Sequence, residues 1–110
     1  MIHPMITNLL SNLPNLNTKD EEFKTLFEST NIKIGRIVST GQSSPEEFWY
    51  EQAQDEWVMI LEGEAVLSFE DDNMMMSKGD FVHIPAYKKH RVKSTKKDSH
   101  TIWLAIFFDL

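Results

Sequence analysis

From Ile32 onward the apolar residues of this chain recur at every second position in short runs, and a turn-forming segment breaks each run. "IKIGRIV", "AVLSF", "FVHI", "RVKST" and "TIWLAIFF" read as strands, as do "MMM", Phe48 to Tyr50 and Trp57 to Leu61. Between them "GQSSPEE", "EDDN", "SKGD" and "KKDS" read as loops and turns, and Glu62-Gly63 as a tight turn. Strands this short, separated by turns, predict an all-β sandwich or barrel. Ahead of them, residues 1–17 carry two prolines and read as an irregular arm. "TKDEEFKTLFEST" predicts a short helix. Thr18 and Glu21 have capping-box spacing, and Phe23, Leu26 and Phe27 form an apolar stripe at helical spacing.

At 110 residues the chain suffices for one domain with one core, an arm and helix over 1–31 leading into a barrel over 32–110. The net charge of −6 disfavours nucleic acid and anionic membranes as partners. The absence of cysteine excludes disulfides, thiolate nucleophiles and Cys-based metal sites, and fits a reducing, cytoplasmic setting. The longest apolar run, Ile102 to Phe108, is far short of the ~20 residues of a membrane helix. MIHPMITNLL, without Lys or Arg, is a poor signal peptide.

Strand alternation assigns faces. Arg91 and Lys93 share a face that must be solvated, which turns His90 and Val92 inward. Glu56, Val58 and Ile60 share one face of their strand, and Trp57, Met59 and Leu61 the other. The last strand is likewise apolar on both faces, so a homodimer interface is expected on one of them. An inward carboxylate at Glu56 is costly unless it is paired, protonated or bound to a ligand or metal. Alternatively Glu56 lies in water at a strand mouth.

The spacing of these residues resembles that of cupins. In that family a carboxylate, six residues and a glycine close the first motif, as Glu56 and Gly63 do here. Tyr50 and Gln52 stand in the places of the motif's two histidines. The second motif is matched by Gly79, Pro85 and His90, with Tyr87 in the place of its second glycine. The resemblance covers about residues 32–108 and implies a cupin (double-stranded β-helix, jelly-roll) barrel. It also implies a divalent ion, Zn, Mn, Fe or Ni, held by Gln52, Glu56 and His90. Tyr50 would then be a proton donor or substrate contact, with Trp49 and Lys88 toward a small polar or anionic substrate. Such a protein is either a metal-dependent enzyme of isomerase, dioxygenase or lyase type, or a metal-free binding and sensing module.

Other candidates carry less. His83 reads as a surface or structural histidine, and His100 as exposed. Met74 to Met76 read as strand packing rather than a soft-metal site. Six of the chain's eleven cations lie between Lys88 and Lys97, but they alternate as a solvated face and lack interleaved aromatics.

Overall fold

The computed structural model describes residues 3–110 as eight strands joined by turns and loops, with no helix among those residues. They are β1 (Glu22–Ser29), β2 (Ile32–Ser39), β3 (Asp55–Glu62), β4 (Glu64–Phe69), β5 (Asp72–Ser77), β6 (Phe81–Ile84), β7 (His90–Thr95) and β8 (Thr101–Phe108). A five-stranded sheet of order β1-β2-β8-β3-β6 faces a three-stranded sheet of order β5-β4-β7, and every pairing is antiparallel. The period-two reading from Ile32 onward therefore holds, except that Phe48 to Tyr50 contributes only an isolated bridge at Tyr50.

The expected helix over residues 18–30 is a strand. β1 pairs with β2 along its length, and a bulge between Thr25 and Phe27 inserts Leu26 as an extra residue. The insertion shifts the phase of the alternation. Phe23 stands opposite Ile37, while Phe27 comes to stand opposite Ile34. A bulged strand thus reproduces the i, i+3, i+4 spacing of a helix. β2 supplies the reason to pair, since without β1 its row of backbone donors and acceptors would be an open edge. Thr18 is no cap either, because its hydroxyl meets that of Thr40 at 3.0 Å.

Val58 and Ile60 of β3, Leu67 of β4, and Trp103 and Ala105 of β8 fill the space between the sheets. Met76 joins them, while Met74 and Met75 are exposed. The tight turn after β3 demands glycine, because Gly63 has φ +90° and a Cβ there would lie 2.7 Å from the Thr101 Cα. On the outer face of the five-stranded sheet, Trp57, Met59, Leu104 and Ile106 are half-buried.

One buried cation fastens the arm to the barrel. Arg36 is 3% exposed, and its guanidinium donates to the carbonyls of Leu9 (3.1 Å), Ser11 (2.6 Å) and Asn12 (3.2 Å) and to Glu22 Oε1 (2.7 Å). His100 adds a second tie through Nε2 to the Pro14 carbonyl at 2.7 Å. Removing the guanidinium strands three carbonyls and a carboxylate together. Arg36→Ala is expected to cost about 2–4 kcal/mol of stability and to open the arm to proteases. Thermal melts with limited proteolysis measure both, and an unshifted melt with an uncleaved arm would remove Arg36 from this role.

Candidate functional site

A cavity of about 780 Å³ opens at one end of the space between the sheets. Its floor is Glu56 of β3 and His90 of β7, which alternation turns inward and which are 8% and 6% exposed. Tyr50 is brought to them by a two-way backbone bridge, its N–H donating to the His90 carbonyl (2.8 Å) and its carbonyl accepting from His90 N–H (3.1 Å). The phenol ring stacks on the imidazole at 5.8 Å between centroids. One wall is the loop from Gly41 to Pro45, which is stitched to β7. Ser44 N–H donates to the Val92 carbonyl (2.8 Å), the Thr95 hydroxyl to the Gln42 carbonyl (2.6 Å) and the Arg91 guanidinium to the Ser44 carbonyl (3.0 Å).

Three of the residues singled out in the sequence meet around one oxygen. Glu56 Oε1 accepts from Gln52 Nε2 at 3.2 Å and lies 3.4 Å from His90 Nε2. His90 Nδ1 lies 2.8 Å from the Lys88 carbonyl, which can only accept, so Nδ1 carries the proton. In the neutral ring a lone pair on Nε2 would then face a carboxylate oxygen. Burial by itself lowers the His90 pKa, but the hydrogen bonds to Glu56 and to the Lys88 carbonyl, with the Glu56 charge, outweigh it and raise the pKa above the ordinary value. The Tyr50 phenol is also raised, by burial first and then by the charges of Glu21 and Glu56, against an opposing contribution from Ser44.

Trp49 and Lys88, by contrast, do not line the cavity. Trp49 is half-buried elsewhere, and Lys88 lays its ammonium over the Phe69 ring, 5.8 Å from the centroid. His83 bonds Asp55 on the outer face (Nε2 to Oδ2, 2.6 Å), tying β6 to β3.

Glu21 is the site residue that the sequence reading missed. It lies on the cavity wall and accepts from the Ser39 hydroxyl at 3.4 Å; Ser39 in turn accepts from the Trp103 indole N–H at 3.1 Å. The side chain keeps an open flank to solvent, yet its carboxyl group is crowded by protein. That burial raises the Glu21 pKa, with the Ser39 hydrogen bond opposing and the Glu56 charge adding to the rise.

The donor set around Glu56 bears on the ion implied by the cupin resemblance. An ion there would find one imidazole nitrogen, one carboxylate, a neutral amide and a phenol that resists deprotonation. Zinc and similar ions are commonly held by three or more imidazole, thiolate or carboxylate ligands. Among the described residues no group of three His, Asp or Glu side chains converges in this way. The set falls short of what a tightly held resident ion needs.

Comparison with known proteins agrees with the fold. A family model described as a cupin domain matches residues 37–107. A crystal structure of a Ralstonia eutropha JMP134 protein, provisionally described as a mannose-6-phosphate isomerase, superposes with a TM-score of 0.93 at 42% identity, covering 97% of this chain and 100% of that one. A cupin superfamily protein from Desulfitobacterium hafniense DCB-2 matches at TM-score 0.76 and 22% identity, over 97% of this chain and 94% of its own. An RmlC-like cupin from Desulfovibrio desulfuricans matches at 0.76 and 21%, over 96% and 97%. These last two show the shared fold. A search of curated proteins gave no match.

The raised pKa values set a sign for stability against pH. A histidine raised in the fold contributes stability that is fully present below about pH 6.5 and is lost as pH climbs through the raised value. A raised carboxylate has the same sign, its contribution being present below about pH 4.3 and lost above the raised value. The melting temperature is therefore expected to fall between pH 6 and pH 8, and His90→Gln to flatten that slope. Calorimetric melts across the range test this, and a melt that holds or rises toward pH 8 contradicts the assignment.

Proposed function

The chain belongs to the cupin domain family, and on that footing we propose that its cavity binds a small polar molecule and relocates a proton on it. The reading rests on Glu56 Oε1 and His90 Nε2 lying 3.4 Å apart on buried side chains at the cavity floor. Glu56 is the base. Its second oxygen, Oε2, has no hydrogen-bond partner among the described residues and is free to take a proton from a bound C–H or O–H acid. His90, with Nδ1 held by the Lys88 carbonyl, is the acid that returns a proton from Nε2 to the neighbouring atom. Tyr50, kept neutral by its raised pKa, donates a hydrogen bond to the oxygen on which charge develops. Gln52 holds Glu56 in place by donating to the same oxygen, Oε1, that faces His90.

Isomerisation, the reaction class in the Ralstonia protein's description, is such a relocation, and what leaves one atom returns to the next. A sensing module that only binds would use the same cavity without turnover. Deuterium uptake from D2O at carbon, followed by NMR over a panel of aldoses, ketoses and amino sugars, separates the two. Glu56→Gln is expected to slow uptake by about 10²-fold or more. Ligand-induced stabilisation without uptake on any compound would favour the sensing module. One equivalent of zinc, manganese, iron or nickel in the purified protein, lost in the Glu56→Gln/His90→Ala double variant, would restore the metal-dependent reading.

The assembly we propose is a homodimer through the outer face of the five-stranded sheet. A second copy of the same face would cover Trp57, Met59, Leu104 and Ile106, none of which carries a charge into the contact. Phe81, 61% exposed and 5.3 Å from the Trp57 ring, borders that patch. Sedimentation equilibrium is expected to give a dimer that Leu104→Glu dissociates by at least tenfold in Kd, and a wild-type monomer at micromolar concentration would rule the assembly out.

A further inference from the structure

The charge of the cavity wall narrows what can enter it. Asp20, Glu21 and Glu56 line the cavity against one lysine, Lys19, and the imidazole of His90, and no arginine does so among the described residues. Neither Glu21 nor Glu56 is paired with a lysine or arginine. The ion pairs among the described residues give Arg36 to Glu22, the adjacent carboxylate, and Lys78 to Glu62. Glu21 has only the Ser39 hydroxyl, and Glu56 only the amide of Gln52 and the imidazole of His90. Both carboxylates line the same cavity, and each adds to the rise that burial gives the pKa of the Tyr50 phenol on its wall.

We infer that the cavity takes a small hydroxylated organic cation, a protonated amine seated between Glu21 and Glu56, and rejects phosphate esters. The inference rests on the proton-relocating reading above, since it names the substrate class of that same cavity. Two carboxylates facing one void repel each other, and a cation between them converts that repulsion into two charge-assisted hydrogen bonds. Tyr50 and Trp103 bring aromatic rings to the wall, which favour a cation further. The Thr18 and Thr40 hydroxyls bond each other, and the Gln42 amide bonds Thr40 and the Thr18 carbonyl, which leaves hydroxyl lone pairs on this wall to accept from hydroxyl groups on the ligand. A phosphate ester would bring up to two negative charges to a wall that already holds three carboxylates. Nothing on that wall resembles the arginine fork that phosphate recognition uses.

Three sugars of one ring and different charge test this: mannosamine, mannose and mannose 6-phosphate, each titrated into the full chain by calorimetry with a parallel thermal shift. Mannosamine is expected to bind at least tenfold more tightly than mannose, and mannose 6-phosphate more weakly than either. Glu21→Gln should cost mannosamine about tenfold and leave mannose within about twofold. Glu21→Lys, checked for folding by its melt, should bring mannose 6-phosphate ahead of mannosamine. If the wild-type protein prefers mannose or mannose 6-phosphate, or if Glu21→Gln binds mannosamine unchanged, the inference fails while the cavity remains a ligand site. If none of the three sugars binds, the proposed function beneath it fails as well.

Discussion

Glu56 stands mid-sheet, opposite Phe107 of β8 on one side and Ile84 of β6 on the other, and a carboxylate in that position cannot be covered by apolar side chains. Left unpartnered in a dry core it would cost several kcal/mol. The barrel answers by leaving a void over it and delivering partners from outside the strand. Gln52 reaches it from the segment before β3, and His90 from the opposite sheet. The backbone bridge between Tyr50 and His90 carries one arm of that delivery, and the stitched loop from Gly41 to Pro45 keeps the wall from collapsing inward. The cavity follows from the need to hold one charge, and its chemistry follows from which partners were supplied.

Those partners depart from the cupin motif in a consistent direction. Tyr50 and Gln52 occupy places where the motif has histidines, so two strong nitrogen donors are exchanged for a phenol and an amide. The amide N–H bonds the carboxylate instead of competing with it for an ion. The phenol stacks on the remaining imidazole. Each change moves the site away from ligating a metal and toward sharing protons. Tyr87, in the place of the motif's second glycine, keeps the left-handed backbone that glycine would adopt, at φ +65°. That conformation costs a side chain about 1–2 kcal/mol. The Tyr87 N–H spends it on a 2.7 Å bond to the Gln52 carbonyl, which fixes the segment bearing Gln52 under Glu56.

Most of the barrel was legible because period-two alternation depends on backbone geometry alone, and β2 to β8 follow it apart from irregularities after Ile60 and Val66. The inward turn of His90 came from that same alternation, as did the sharing of one face by Glu56, Val58 and Ile60. The N-terminal strand was not legible, since one bulged residue at Leu26 turned its alternation into a helical pattern. The same misreading hid Glu21. As the carboxylate of an apparent capping box it looked like part of a helix terminus, whereas it lies just before β1 and is carried to the cavity by pairing across the sheet. Trp49 and Lys88 were placed by proximity in sequence to Tyr50 and His90, and both stand in connecting segments outside the strands, where alternation assigns no face.

The basic stretch from Lys88 to Lys97 shows why a count of charges does not predict the sign of a cavity. The chain has eleven cations, six of them close in sequence to His90, and an anionic ligand looked natural there. Alternation turns that face away. Arg91 and Lys97 are used on loop carbonyls, at Ser44 and Gly41, and Lys88 on the Phe69 ring. Arg36, the buried cation nearest to Glu21 in the sheet, is occupied by the arm and by Glu22. What remains facing the void, beside Lys19, is carboxylate, imidazole and phenol. A molecule entering it meets an acidic wall lined with hydroxyls and aromatic rings, whatever the charge of the surface outside.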